Sequence, residues 1–175
     1  DFEEMAFLLH FLNSDDLFID IGANVGAYTL LASGICHCKT IAVEPIPSTF
    51  QRLEKNILLN HLLNGKVNLL NVGIGKEKEM LNFLDSHHST MNRVQSENAS
   101  SSLPKIQIMT FPLDNLLDDH HKPNMIKIDV EGYEFEVLKG ASKSLQSDDL
   151  KAIIVELNQS GKIYGHDDKD IVNLL

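Results

Sequence analysis

Charged side chains interrupt an otherwise apolar segment in the C-terminal half of the chain. Lys127, Asp129 and Glu131 alternate with apolar residues over positions 126–132. Because side chains alternate along a strand, the three charged groups tend to one side of it. Charges in a predicted central strand are unfavourable unless they are paired or functional. Asp129 and Glu131 are therefore candidates for a general base, and a purely structural Lys127–Asp129 pair is the alternative.

A glycine-containing turn follows the first apolar run. That run ends in Asp20-Ile21-Gly22-Ala23-Asn24-Val25-Gly26, and a helical pattern begins at once. Glycine lets the backbone approach a ligand closely, and a helix amino end suits a carboxylate or a phosphate. Alone this turn is weak evidence, since a tight strand-to-helix connection needs no ligand.

An acid, Glu44, ends the second apolar run, 18 residues after Gly26. An acid at this spacing can accept two hydrogen bonds from ribose hydroxyls, although a solvated glutamate at a strand end is common. Together the two features indicate an adenosine-containing ligand. The turn lacks the middle glycine that admits the pyrophosphate of a dinucleotide, and Asp20 suits a cationic amino group such as that of a methionine moiety. This pattern disfavours a nicotinamide dinucleotide.

The elements that must position these residues alternate along the chain. Seven segments are predicted as strands: 17–21, 40–43, 67–72, 79–84, 105–111, 125–130 and 150–157. Helices are predicted over 5–11, 26–33, 48–59, 133–138 and 169–175, with Ser48 and Gln51 at the spacing of a capping box. This alternation predicts an α/β fold, a doubly wound and mostly parallel sheet with helices on both faces. In such a fold ligands bind beyond the carboxyl ends of the strands.

Length, charge and composition limit the classes of partner that this chain is expected to bind. The 175 residues suit one domain, and the net charge of −10 argues against a nucleic acid and against an anionic membrane surface. No apolar run approaches the roughly 20 residues of a membrane span. Cys36 and Cys38 are expected to be ordinary thiols rather than zinc ligands, because no further residues complete a site. We expect a reducing, cytoplasmic location.

The motifs, taken together, resemble the FkbM-type family of methyltransferases over nearly the whole chain. The matching segments are 18–29, 43–45, 71–75, 112–114, 126–134 and 138–140. The resemblance implies a Rossmann-like class I fold, S-adenosylmethionine as cofactor and O-methylation, often of sugars or secondary metabolites. One departure is that the chain ends inside its last predicted helix, with no candidate for the final antiparallel strand pair of the fold. We therefore expect one methyltransferase domain over residues 1–175, truncated at its C-terminal end.

The resemblance also implies roles for individual residues. The methionine part of the cofactor would be held by Asp20, Gly22, Asn24 and Gly26. Glu44 would hold the ribose, and Asn71, Val72 and Gly73 would lie near the adenine. Asp129 and Glu131 would face the transferring methyl group and the acceptor, with Asp129 the first choice as general base.

Several alternatives stay open. They are a nicotinamide-dependent oxidoreductase, a methyltransferase-fold binding module without turnover, and a divalent metal held by Asp129 and a nearby acid, although no metal is required. His87, His88, His120 and His121 are expected at the surface, with His88 the best exception, and His166 is also available at neutral pH. The acceptor, a small molecule or a saccharide, would be selected by the loop over residues 86–104. The oligomeric state stays open.

Overall fold

A computed structural model describes residues 2–62, 65–84, 93–95, 104–117 and 122–175. Its main sheet has five parallel strands in the order β3-β2-β1-β8-β9. Their bounds are β1 Leu17–Ile21, β2 Lys39–Val43, β3 Val67–Leu70, β8 Met125–Ile128 and β9 Ala152–Val155. Strand order reverses at β1, so the carboxyl ends of β1, β2 and β8 meet at the point where ligands bind in doubly wound folds. The predicted fold class is confirmed.

A second, smaller sheet lies in the chain between β3 and β8. Its order is β4-β7-β5-β6, with β4 Gly73–Ile74, β5 Glu79–Leu84, β6 Arg93–Val94 and β7 Lys105–Phe111. β5 pairs antiparallel with both β6 and β7, whereas β4 pairs parallel with β7. The strands predicted over 79–84 and 105–111 are therefore present, and they pair with each other rather than with the main sheet.

The described residues also form six α-helices and two short 3-10 helices, Leu113–Asn115 and Ser160–Tyr164. The α-helices are α1 Phe2–Phe11, α2 Ala27–Leu30, α3 Pro47–Leu59, α4 Glu134–Lys139, α5 Ser142–Leu145 and α6 Asp168–Val172. A π-helical turn, Leu31–Ile35, extends α2. The predicted capping box at Ser48 is wrong, because α3 begins one residue earlier at Pro47 with no side-chain cap. Proline lacks an N–H that would need capping, and its fixed φ suits the first helical position.

The core lies on both faces of the main sheet. On one face Phe18 of β1 and Met125 of β8 pack with Leu8 of α1 and Tyr28 of α2. On the other face alternate strand residues pack against α4 and α6: Ile19, Ile21, Ile126, Ile128, Val137, Leu138 and Ile171. Because β1 and β8 are covered on both faces, any charged side chain in them is enclosed. Among the described helices none has the length and apolar character to cross a bilayer.

Candidate active site

The turn after β1 is held against both neighbouring strands. The N–H groups of Gly22 and Ala23 each donate to the carbonyl of Val43 at 3.0 Å. Gly22 has φ +76°, and a Cβ placed there would lie 1.8 Å from the carbonyl oxygen of Asp129. Only glycine fits, because the turn after β8 passes directly over it. Gly26 also has a positive φ, +92°, and its missing Cβ leaves room for Leu53 of α3.

Glu44 ends β2 with its carboxylate buried. One oxygen accepts the N–H of Asn24 at 3.0 Å, and the other accepts the N–H of Ile46 at 2.9 Å. Burial raises the pKa of Glu44 to about 7, and these two hydrogen bonds offset part of the rise. Each carboxylate oxygen has a second lone pair, so the group can accept two further hydrogen bonds from a ligand.

Asn71 fixes the backbone beside Glu44. Its side-chain amide donates to the carbonyls of Glu44 at 2.8 Å and Pro45 at 3.0 Å. Asn71 itself is exposed and does not line the cavity, whereas the next two residues, Val72 and Gly73, do. Of the three residues predicted to lie near the adenine, Val72 and Gly73 thus form part of the cavity wall, and Asn71 supports it from outside.

Asp20 lies behind the turn rather than on the cavity. It is fully buried, accepts a hydrogen bond from the hydroxyl of Thr29 at 2.6 Å, and lies 3.8 Å from Lys127 Nζ. Burial raises the pKa of Asp20. The same Nζ is 3.1 Å from Asp129 Oδ2 and 4.8 Å from the ring centre of Tyr28. Lys127 thereby joins the buried acid to the acid at the cavity.

The turn after β8 is shaped by Glu134, the first residue of α4. Glu134 Oε1 accepts the N–H groups of Val130 at 3.1 Å and Gly132 at 3.0 Å. Glu131, between them, has φ +55°, a conformation that a side-chain-bearing residue rarely adopts without such support. The two hydrogen bonds therefore hold Glu131 at the cavity wall.

Glu156 joins the site from a neighbouring strand. It follows β9, and its N–H donates to the carbonyl of Ile128 at 3.1 Å. Carboxylate oxygens of Asp129, Glu131 and Glu156 all lie within 4.8 Å of one another. Burial, and then the charge of Asp129, raise the pKa of Glu156 to about 7, and the same two causes raise the pKa of Glu131. Such a cluster can take up a proton from a bound hydroxyl or hold a divalent cation.

These elements enclose a cavity of about 180 Å³ beyond the carboxyl ends of β1, β2 and β8. Seven of the predicted site residues line it: Gly22, Asn24, Glu44, Val72, Gly73, Asp129 and Glu131. Asp20, Gly26 and Asn71 do not line it. Asn71 contacts the lining residues Glu44 and Pro45, whereas Asp20 contacts Thr29 and Lys127 and Gly26 faces Leu53. The fold thus brings seven of the ten predicted site residues to one cavity.

Other lining residues were missed by sequence reasoning. They include Pro45, Ile46, Phe83, Arg93, Val94 and Tyr133. Pro45 and Ile46 follow Glu44 directly at the carboxyl end of β2, where ligands bind in such folds, so the sequence could have indicated them. The same argument could have indicated Glu156, which follows β9. Phe83, Arg93 and Val94 belong to the second sheet, whose position no local pattern indicates.

The remaining candidates lie elsewhere. His166 lies 3.2 Å from Glu136 and stacks on Phe135, away from the cavity wall. Cys36 and Cys38 form no disulfide, and Cys38 is buried. His87, His88, His120 and His121 lie outside the described residues, as does most of the loop over residues 86–104.

Comparison with solved structures agrees with this architecture. The methyltransferase FkbM of Methylobacillus flagellatus KT superposes with a TM-score of 0.65 at 20% identity, over 93% of this chain and 37% of that one. Precorrin-6y C5,15-methyltransferase of Geobacter metallireducens gives a TM-score of 0.57 at 15% identity, over 98% and 70%. At these identities the likeness shows the fold.

Sequence relatives show the family. Hexuronic acid methyltransferase AglP of Haloferax volcanii is 33% identical over 96% of this chain and 64% of its own length. Methyltransferase 1 of Beauveria bassiana is 26% identical over 83% of this chain and 66% of its own. The chain thus spans just under two thirds of these relatives. Residues 20–175 match the family model of the methyltransferase FkbM domain, and the chain therefore belongs to the FkbM family of methyltransferases.

Proposed function

We propose that this domain transfers a methyl group from S-adenosylmethionine to a hydroxyl oxygen of a saccharide or another small molecule. The observation that carries the proposal is the cavity where Glu44, the Gly22 turn and Asp129 meet at the carboxyl ends of three parallel strands. A saccharide acceptor is supported by the name of the Haloferax relative, which specifies a hexuronic acid.

The residues present fit an adenosine-containing cofactor. Glu44 keeps a free lone pair on each oxygen for the ribose hydroxyls, and Val72 and Ile46 offer apolar surface beside it. Asn24 Oδ1 is buried and has no hydrogen-bond partner among the described residues, although Asn24 lines the cavity. An unpaired buried acceptor is unfavourable, and a donor on the cofactor would satisfy it.

The cofactor, when bound, supplies an activated methyl group, so the protein contributes mainly alignment and exclusion of water. A hydroxyl acceptor must also lose its proton at or after transfer. Asp129 is our first choice to accept it, since it lines the cavity and Lys127 fixes one of its oxygens at 3.1 Å. Glu131 is the second choice. Glu156 lies close enough to share the proton afterwards.

Calorimetric titration tests the cofactor. We expect S-adenosylhomocysteine to bind the 175-residue chain with micromolar affinity, NAD not to bind, and Glu44→Ala to abolish binding. Glu54→Ala, an exposed acid on α3, serves as the matched control and is expected to bind normally. Binding of NAD in preference to S-adenosylhomocysteine would make the proposal wrong.

Product chemistry tests the acceptor atom. Label from [methyl-³H]S-adenosylmethionine is expected on a saccharide as a methyl ether, which survives mild alkali. Label that is released as methanol by mild alkali would indicate a methyl ester and would contradict transfer to a hydroxyl. Cofactor binding without transfer to any saccharide or small hydroxyl compound would favour the binding module without turnover.

A further inference from the structure

Arg93 is a cation in a cavity whose other charged groups are acids. The short strand β6 carries it, and pairing of Leu84 with Arg93 and of Phe83 with Val94 fixes β6 on β5. Phe83, Arg93 and Val94 all line the cavity, together with Glu131. The charged residues among the described lining set are Glu44, Asp129, Glu131 and Arg93.

The guanidinium of Arg93 has no ion pair in the described part of the chain, since no carboxylate there lies within 4 Å of it. The positive charge of Arg93 acts on Glu131, where it offsets part of the rise in pKa that burial and Asp129 cause. Arg93 is also half-buried. A partly desolvated guanidinium without an ion pair gains most from an anionic ligand.

The shape of the guanidinium limits the kind of anion. Its parallel N–H donors match two oxygens of a carboxylate or of a phosphate, and such charge-assisted pairs are among the stronger hydrogen bonds. Of these two anions, the carboxylate is the one that a hexuronic acid carries, the sugar named for the Haloferax relative. The charge of Arg93 acts on Glu131 and Tyr164, which belong to the turn after β8 and to the segment after β9. The family resemblance implies that the amino-acid end of the cofactor lies at a different turn, of which Gly22 and Asn24 line the cavity.

We propose that Arg93 binds a carboxylate on the methyl acceptor, so that the domain selects carboxylated sugars over their neutral counterparts. This inference rests on the proposed function, because it places the acceptor in the same cavity. The sequence predicts that the loop over residues 86–104 selects the acceptor. The inference gives this role to Arg93, a described residue of that loop.

A matched pair of probes tests the inference without requiring turnover. p-Nitrophenyl β-D-glucuronide and p-nitrophenyl β-D-glucoside differ only in a carboxylate against a hydroxymethyl group. Binding of each to the chain saturated with S-adenosylhomocysteine is measured by ligand-observed NMR titration. We expect the wild type to bind the glucuronide about tenfold or more tightly than the glucoside, and Arg93→Met to remove that preference by weakening only the glucuronide. Arg52→Met, at an exposed position of α3, is the charge-matched control and should keep the preference.

A second arm separates the acceptor from the cofactor as the source of the carboxylate. S-Adenosylhomocysteine and 5′-methylthioadenosine, which lacks the amino-acid group, are titrated into wild type and Arg93→Met. We expect both affinities to stay within threefold in the variant. Loss of S-adenosylhomocysteine affinity alone would assign Arg93 to the cofactor and overturn the inference.

Other outcomes are equally decisive. A wild type that binds both sugars alike, or binds neither, contradicts the carboxylate preference, and so does a preference that survives in Arg93→Met. If S-adenosylhomocysteine itself fails to bind the wild type, the proposed function fails first, and that result is distinct from a failure confined to the sugars.

Discussion

Lys127 Nζ lies 3.1 Å from Oδ2 of Asp129, although the lysine side chain is only 6% exposed. The lysine reaches this position because β8 pairs with β1 in a register that sets Lys127 directly beside Asp20. Its ammonium group thus lies between a buried acid and an acid at the cavity. The Lys127–Asp129 ion pair, which the sequence posed as the alternative to a functional role, is present, and Asp129 also lines the cavity.

Replacing Lys127 tests this arrangement. Lys127→Met leaves Asp20 and Asp129 without their cation, and breaking a buried pair by removing one partner typically destabilises a protein by about 3–5 kcal/mol. We expect a loss of this size in the free energy of unfolding, measured by urea denaturation. The double variant Asp20→Asn/Lys127→Met removes the enclosed charge as well and should lose less than half as much. Equal losses in the two variants would show that Lys127 acts through packing alone.

The raised pKa of Glu44 leads us to expect that the affinity for the cofactor depends on pH. This pKa of about 7 in the free protein lies above the ordinary value, so the carboxyl is mostly protonated at pH 6 and mostly ionised at pH 8. Because an ionised carboxylate accepts from both ribose hydroxyls more strongly than a carboxyl whose proton occupies one oxygen, we expect binding below pH 7 to release a proton. We expect the affinity for S-adenosylhomocysteine to rise about tenfold from pH 6 to pH 8. Calorimetry in buffers of different ionisation enthalpy would detect the released proton.

The control for this prediction is Glu44→Gln, which cannot titrate. Its affinity should be weaker than that of the wild type at pH 8 and should vary little with pH. A rise of the same size in Glu44→Gln would assign the titration to another group, such as a histidine.

Gly22 and Gly65 form a matched pair for substitution by alanine. Both have a positive φ, +76° and +83°. A Cβ at Gly65 would meet no described residue within 4 Å, whereas one at Gly22 would meet the Asp129 carbonyl. Gly65→Ala is expected to destabilise the fold by about 1–2 kcal/mol, from backbone conformation alone. Gly22→Ala should exceed this by at least about 2 kcal/mol and should also weaken cofactor binding. Similar losses for the two, read from urea unfolding, would contradict the close contact.

Glu134 is expected to act as a positioning residue for the turn that carries Glu131. Glu134→Ala removes the acceptor of two backbone N–H groups and should lower methyl transfer by about 10- to 100-fold, since small misplacements near reacting groups have effects of this size. Glu134→Gln keeps an oxygen that can accept both N–H groups and should retain activity within threefold. The comparison of kcat between the two variants separates geometry from charge. Strong loss in both would indicate that the charge itself is needed.

The sequence determined the fold class and seven of the residues that line the cavity. Apolar runs and helical patterns mark strands that alternate with helices, and the polar residues at the ends of parallel strands must meet at one edge of the sheet. Gly22, Glu44 and Asp129 follow this rule and come together as expected. The rule works because it depends only on local pattern and on the shared direction of the strands.

Tertiary structure alone decided which charges face the cavity and which lie behind it. Asp20 is fully buried and does not line the cavity, because its register sets it beside Lys127 and Thr29 of α2 packs against it. Glu156 reaches Asp129 because β9 lies next to β8, and Arg93 reaches the cavity because a second sheet brings it there. Local sequence encodes where a strand ends, but strand order, register and the packing of one sheet against another arise from contacts between residues far apart in the chain.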